Sequence, residues 1–342
     1  MRLFFRHSTR IAAGALVFLA LGCASREHAK PLPESPKPYV RIRQEITNKT
    51  EFQIALRKFV PRKGAGPSIW LVGVSHLGAA EYFVRLQREL DLRTLVLFEG
   101  ISASRQKPAR PNSAPEARAA REPVEADASG PEGLQPALAK ALGLKFQLEA
   151  IDYSRPHFQN SDLSIPELRQ LLADQPKSSD DQGASREFEA LLQAMQGQSL
   201  LNSLLRVVLP FVATSPGLQG VAKLALIEIL GQIDGNPANI PGLPESDKQL
   251  MEVLLAHRNQ RVMVDLQTEL PHLQKQDSVA ILYGVAHMPD LEQRLKARLH
   301  YQPVETAWLT AFDVDSAKAG ISEAQVKFLR RLLKQELREM AN

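Results

Sequence analysis

Ser68-Ile69-Trp70-Leu71-Val72-Gly73-Val74-Ser75 is the stretch of this 342-residue chain that decides the fold, because it is apolar throughout between its two serines. Uninterrupted apolar runs of this length are typical of strands buried on both faces, as in a sheet covered by helices. A second such run occupies residues 278–285. Helical patterns alternate with short apolar runs between the two, which predicts an α/β fold with a mixed central sheet flanked by helices.

Apolar periodicity assigns the other elements of this fold. Further strands are predicted at residues 51–60, 94–98, 145–151 and 304–312. Helices are predicted at 80–90, 134–142, from 164 onward, 200–213, 221–230, 245–270, 289–299 and 322–340. Ser164 and Glu167 form a capping-box pattern at the start of one of them. The main α/β domain is expected to cover residues 39–315, with a helical cap at 164–240 and a C-terminal helical segment at 316–342.

The first 22 residues resemble a bacterial lipoprotein signal peptide. Arg2, Arg6 and Arg10 form a basic region, and the apolar stretch at 11–21 is too short to span a bilayer. The chain's single cysteine, Cys23, follows directly, so no disulfide accounts for it. We therefore expect lipidation of Cys23 and attachment to a membrane in the cell envelope. The other interpretation is an ordinary secretory signal followed by an incidental cysteine.

Residues 23–38 contain four prolines and are expected to be an extended tether between the lipid and the domain. Ala24, which is not Asp, favours the outer membrane facing the periplasm if the cell is Gram-negative.

Charge gives no support for nucleic-acid binding. The formal charge of the chain is +4, and removing the three signal-peptide arginines leaves +4 − 3 = +1. The basic pI of the full chain is therefore no argument for a nucleic-acid partner, and none is expected. Residues 102–133 are rich in Pro, Ala, Ser, Arg and Glu without apolar periodicity, which predicts a disordered insertion.

The two fold-deciding strands end in the same pattern, Gly-Val-small-His, at Gly73 to His76 and at Gly284 to His287. Ligands of open α/β sheets bind at the C-terminal ends of strands. Glu99 follows another apolar run and would join the two histidines if the strands are neighbours. Two imidazoles and a carboxylate form a ligand set for a divalent ion that leaves positions open for water. The alternatives are structural strand-end histidines and a Glu99 carboxylate paired with Arg105.

These paired motifs resemble the TraB/PrgY/GumN family, which is related to the TIKI metalloproteases and more distantly to EreA/ChaN-like proteins. The likeness covers roughly residues 51–314 without the insertion, and it implies an EreA/ChaN-like fold. Carried over position by position, the family's functional residues correspond to His76, Glu99, Arg105, Asp152, Arg155, Arg258, Asn259 and His287. The chain departs from the family pattern at His257, where Glu is usual, and at Asp290, where Gly is usual.

Together with the expected lipid anchor, the resemblance implies a membrane-tethered, metal-dependent hydrolase that acts on peptide bonds. His76, Glu99 and His287 would hold Mn, Co or Zn, with Glu99, Arg258 and Asn259 in the catalytic set. Surrounding binding positions would be Gly73, Gly284, Arg105, Asp152 and Arg155, whereas His157 and His257 are more simply explained as ordinary core or surface histidines. Two other interpretations stay open: a non-catalytic lipoprotein that binds haem, a peptide or a small molecule, and an envelope interaction protein with a degenerate site.

Overall fold

The computed structural model describes residues 38–44, 48–100, 134–174, 189, 209–231, 250–251 and 253–341. The predicted signal peptide, the tether up to residue 37, the predicted insertion with Arg105, and much of the predicted cap lie outside these residues. Among the described helices, none combines the length and apolar composition needed to cross a membrane.

The protein has an α/β fold whose main sheet is mixed. Four strands are parallel in the order β3-β8-β5-β7, and β1, β2 and β9 extend the sheet in antiparallel fashion from β3. The strands within the described residues are β1 (Val40–Gln44), β2 (Lys49–Pro61), β3 (Ser68–Val74), β4 (Leu77–Gly78), β5 (Leu95–Phe98), β6 (Lys145–Phe146), β7 (Phe158–Asn160), β8 (Ser278–Gly284) and β9 (Tyr301–Asp315). β4 and β6 pair separately from the main sheet.

Helices cover both faces of this sheet. The α-helices are α1 (Ala80–Asp91), α2 (Leu134–Ala141), α3 (Gln147–Ala150), α4 (Ile165–Ala173), α5 (Pro216–Leu230), α6 (Arg258–Glu269), α7 (Met288–Arg298) and α8 (Glu323–Ala341). A π-helix (Val253–His257) precedes α6, and 3₁₀ turns follow α6 (Leu270–His272) and β8 (Val285–His287). The predicted capping box is present, with Ser164 accepting a hydrogen bond from the Glu167 backbone.

Alternate side chains of the central strands enter two separate cores, which explains why their sequences are apolar without interruption. Trp70, Val72 and Val74 face one core, to which α1 and α5 contribute, whereas Ile69 and Leu71 face the other, with α6 and α7. A strand with both faces buried has no position for a polar residue. A third apolar cluster joins α4 to the π-helix.

Two predicted elements differ in the structure. Residues 145–151 are not one strand, because only Lys145 and Phe146 pair, with β4, and the Gln147 backbone then donates to the His76 carbonyl and starts the short helix α3. The predicted helix 245–270 is not regular, since a π-turn at Val253–His257 interrupts it directly before Arg258. β1, β4 and β7 were not predicted from the sequence.

A buried ion pair connects β2 to α7 and also contacts Tyr39, directly before β1. Arg57 in β2 and Glu292 in α7 are each 2 % exposed and form a salt bridge. The Tyr39 hydroxyl donates to the same Glu292 carboxylate at 2.6 Å, and its ring lies 4.2 Å from the Arg57 guanidinium. Burial raises the pKa of Glu292, but hydrogen bonds from Lys296 and Tyr39 and the charge of Arg57 lower it more, so the net pKa is below its usual range.

Candidate active site

The C-terminal ends of all four parallel strands carry polar side chains. His76 follows β3, Glu99 follows β5, Asp162 follows β7, and His287 ends the 3₁₀ turn after β8. β8 lies between β3 and β5, so the Glu99 backbone N–H donates to the Leu282 carbonyl at 2.9 Å. These loops diverge at one edge of the sheet, where open α/β sheets bind ligands.

Arg258, the first residue of α6, lies beneath this edge between two carboxylates. It donates Nε and Nη2 to the two oxygens of Asp162, at 2.9 and 2.7 Å, and Nη2 also to Glu99 Oε1 at 2.6 Å. Nη1 donates to the Leu254 carbonyl of the π-helix at 3.2 Å. The Arg258 side chain is 6 % exposed and that of Asp162 is fully buried. Paired with two anions in this way, the guanidinium has a pKa raised above its ordinary value, although burial alone lowers it.

Glu99 is held as an anion. Burial raises the pKa of this carboxyl, but the Arg258 guanidinium, the interactions with His287 and His76 and the Gly284 N–H lower it more, and the result is well below the usual range. Gly284 donates its backbone N–H to Glu99 Oε2 at 2.5 Å. A Cβ at position 284 would lie 3.2 Å from that oxygen, so the absence of a side chain permits this approach.

His287 presents a buried nitrogen to Glu99. Its Nδ1 is 2.6 Å from Asn259 Oδ1, and its Nε2 lies 3.6 Å from Glu99 Oε1. Nε2 has no hydrogen-bond partner among the described residues, and the side chain is only 1 % exposed. Burial lowers the pKa of His287 to about 3, with Glu99 acting against the shift and Arg258 and His76 adding to it. The imidazole is therefore neutral at physiological pH.

His76 approaches the same place from the end of β3. Its Nδ1 is 3.0 Å from Gln147 Oε1, and Gln147 Nε2 donates to the Tyr153 hydroxyl at 2.7 Å. A Cβ built on Gly284 would lie 3.9 Å from His76 Nε2, 3.2 Å from Glu99 Oε2 and 3.7 Å from the His287 ring, so all three side chains border this glycine. Both motif histidines thus have a side-chain amide at Nδ1, and for His287 the Nε2 atom faces the Glu99 carboxylate.

The duplicated motifs are not equivalent in the sheet. The register pairs Gly73 with Tyr283 and Val74 with Gly284, one residue away from the sequence alignment. A Cβ at Gly73 would lie 3.1 Å from side-chain atoms of both Ile54 and Val285. Gly73 therefore permits core packing, whereas Gly284 lies against the polar site.

Other sequence candidates lie elsewhere or are committed to protein partners. Asp152 and Arg155 are 46 % and 44 % exposed, pair with each other, and Arg155 also pairs with Asp91 of α1. His157 lies before β7, at the opposite end of β5 from Glu99, since its carbonyl accepts from the Val96 N–H. His257 ends the π-helix and is partly exposed. Asn259 is fully buried, and its amide joins His287 to Asp290.

Sequence reasoning missed Asp162, Gln147 and Tyr153, all of which support the site. Asp162 follows the three-residue strand β7, in which only Phe158 is buried, so no apolar run indicates a strand before Asp162. Gln147 lies where a continuous strand was predicted. Tyr153 lies between the two sequence candidates Asp152 and Arg155, and this was the signal that could have identified it. The loop contributes the tyrosine to the site, whereas the charged pair lies on the surface.

A divalent ion fits the chemistry of this donor set, although no three His, Cys, Asp or Glu side chains of the described chain stand together at metal-site spacing. Two ligands of one tetrahedral ion, each about 2.1 Å from it, are about 3.4 Å apart. His287 Nε2 and Glu99 Oε1 are 3.6 Å apart. The unpartnered buried nitrogen and the anionic carboxylate are the kinds of atom that bind such an ion.

Comparison with known proteins found no match: no family model, no curated protein and no solved structure matches the chain.

Proposed function

We propose that this protein is a membrane-tethered, metal-dependent hydrolase of the peptidase type, with an EreA/ChaN-like fold, a helical cap and a lipid anchor on Cys23. The observation that carries the proposal is the buried, unpartnered Nε2 of His287, which is 3.6 Å from an anionic Glu99. A neutral imidazole whose other nitrogen bonds a polar partner is the usual form of a ligating histidine.

Charge balance supports a cation at this position. Glu99 and Asp162 contribute two negative charges and Arg258 one positive charge, so the buried trio has a net charge of −2 + 1 = −1. An uncompensated buried charge is unfavourable. A divalent ion next to Glu99 would remove this excess.

In this proposal Glu99, His76 and His287 hold the ion. The chemistry that a bound divalent ion supplies is Lewis acidity, which polarises a peptide carbonyl and activates water at neutral pH. Arg258 keeps Glu99 ionised and fixes it in place, because its donors are committed to Glu99, Asp162 and Leu254. Asn259 orients His287. Both residues therefore support the ligands, whereas the resemblance implied that they belong to the catalytic set.

The same commitment of Arg258 and Asn259 favours the second candidate, a lipoprotein that binds haem or a peptide without turnover. Four of the five N–H groups of Arg258 and one of the two of Asn259 already donate to protein acceptors, which leaves each side chain a single donor for the charge that develops during hydrolysis. Haem absorbance on reconstitution, or peptide binding without cleavage, would support that function.

The decisive experiment measures metal content and peptide cleavage on the full chain purified from membranes. Elemental analysis and calorimetry with Mn, Co and Zn are expected to give one ion per chain. His76→Ala, Glu99→Ala and His287→Ala should each weaken binding at least tenfold, whereas His272→Ala, on an exposed turn after α6, should not. A wild-type protein that binds none of these ions would exclude the metallohydrolase.

The anchor is tested separately with Cys23→Ala. We expect wild-type protein to carry an acyl mass and to sediment with membranes, and the variant to lose both. Equal partitioning without an acyl mass would contradict lipidation.

A further inference from the structure

A chain of hydrogen bonds connects His287 to the first turn of α7. Asn259 Oδ1 is 2.6 Å from His287 Nδ1, and Asn259 Nδ2 donates to Asp290 Oδ2 at 2.7 Å. Arg294, one turn further along α7, donates Nε to the same oxygen at 2.6 Å. His287, Asn259 and Asp290 are all buried, so water does not compete for these bonds.

The direction of this chain follows from its last two members. A carboxylate only accepts hydrogen bonds and a guanidinium only donates them. Asp290 therefore accepts from Asn259, which must direct its NH₂ group toward Asp290 and its oxygen toward His287. Since that oxygen only accepts, His287 must carry its proton on Nδ1. Nε2 is left with a bare lone pair.

His76 has no comparable anchor. Its partner Gln147 is hydrogen-bonded in turn to the Tyr153 hydroxyl, and a hydroxyl can both donate and accept a hydrogen bond. The amide of Gln147 can thus be satisfied in either orientation, and His76 in either tautomer. Of the two hydrogen-bond chains, only the one from His287 ends in groups whose roles are fixed, because a carboxylate can only accept and a guanidinium can only donate.

We infer that Asp290 is a positioning residue that sets the tautomer of His287, so that the Nε2 lone pair faces Glu99 and is available to a metal ion. The competing tautomer would place an N–H on Nε2, 3.6 Å from the Glu99 carboxylate. A slight approach of the two side chains would let that N–H donate to Glu99, and no lone pair would then be left for an ion. The use of the lone pair rests on the proposed function, whereas the tautomer itself does not.

Asp290 also lies in the first turn of a helix, where any carboxylate interacts favourably with the helix dipole. That role would affect stability but not the tautomer of His287. The position of the proton on the imidazole therefore separates positioning from simple structural support.

The test uses two variants and a control in the full chain. Asp290→Ala removes the acceptor and lets the Asn259 amide turn over. The double variant Asn259→Asp with Asp290→Asn exchanges carboxylate and amide, so that the new carboxylate accepts from both His287 Nδ1 and the new amide, whose oxygen accepts from Arg294. Gln293→Ala, an exposed position of the same helix, is the control.

Protein labelled with ¹⁵N-histidine reports which imidazole nitrogen is protonated, and the His287 signals are identified by their loss in His287→Gln. Zinc affinity is measured in parallel by calorimetry. We expect a bare Nε2 in wild type, Gln293→Ala and the double variant. Asp290→Ala should show a protonated Nε2 and an affinity lower by about 10- to 100-fold, the usual effect of losing a residue that orients a metal ligand.

The inference is overturned if Asp290→Ala keeps a bare Nε2, or if the double variant loses it. Should Asp290→Ala fail to fold, the double variant decides alone, because it alters both side chains yet must preserve the tautomer. A wild-type protein that binds no zinc but shows these tautomers would contradict the proposed function while supporting the role of Asp290.

Discussion

Replacing Arg258 by methionine tests the electrostatic basis of the site most directly. Methionine has a similar volume, a shorter and flexible side chain and no charge, so Arg258→Met removes the cation while largely filling its volume. Asp162 then keeps a fully buried carboxylate without its bidentate partner, and Glu99 loses its only cationic contact among the described residues. Removing one member of a buried ion pair costs about 3–5 kcal/mol, because the remaining charge is left unpaired.

We therefore expect Arg258→Met to reduce the free energy of unfolding by at least about 3 kcal/mol at pH 7. At about 2–4 °C per kcal/mol for a domain of this size, the melting temperature should fall by roughly 6 °C or more. Arg155→Met is the matched control, since Arg155 also contacts two carboxylates but is 44 % exposed. Exposed pairs contribute about 0–1 kcal/mol, so this variant should be nearly neutral.

Urea unfolding followed by circular dichroism at several pH values gives the assay. Without Arg258 the two buried carboxyls should gain pKa values above their usual range, and protonation then relieves the unpaired charge. The difference between wild type and Arg258→Met should accordingly shrink as the pH falls from 7 toward 5. Equal losses in the Arg258 and Arg155 variants, or a difference independent of pH, would refute the reasoning.

Two further predictions concern Glu292 and Gly284. The pKa of Glu292 is lowered in the folded protein, so its contribution to stability is present above the unfolded pKa of about 4.3 and is lost as the pH falls below that value. Glu292→Gln should therefore lower stability at pH 7 by about 3 kcal/mol and flatten the acid limb of the stability curve, and an unchanged limb would show that the Arg57 pair does not matter. Gly284→Ala places a Cβ 3.2 Å from Glu99 Oε2 and should weaken zinc binding at least tenfold, whereas Gly66→Ala, equally crowded at 3.2 Å from Pro61 Cγ but remote from the site, should not. Equal zinc affinity in the two glycine variants would contradict the close approach of Glu99.

The α/β class could be predicted from the sequence because burial on both faces imposes a recognisable composition. In β3, Val72 packs into one core and Ile69 and Leu71 into the other, so a polar side chain would be buried on either face. The same holds for β8. Short strands lack this signal. β7 has one buried apolar residue, so neither the strand nor Asp162 after it could be anticipated.

The same limit applies within the site. Strand-end position identified His76, Glu99 and His287 as candidates, and the structure brings Glu99 and His287 to 3.6 Å. The sequence could not show that Asp152 and Arg155 pair on the surface, because a charged residue after a strand has the same local sequence whether it faces solvent or a crevice. Nor could it give the one-residue offset between β3 and β8, since parallel register depends on packing over many residues.

The position of β8 between β3 and β5 has a consequence for how the protein is made. The chain is synthesised from its N-terminus, so β3 and β5 exist long before Ser278–Gly284, which must pair with both of them. Until then two apolar strands have unpaired edges where β8 belongs, and such edges promote association between chains. Loop closure over this distance also slows folding. We therefore expect the nascent protein to be prone to association until β8 has emerged, and the candidate site forms only when that late strand is inserted.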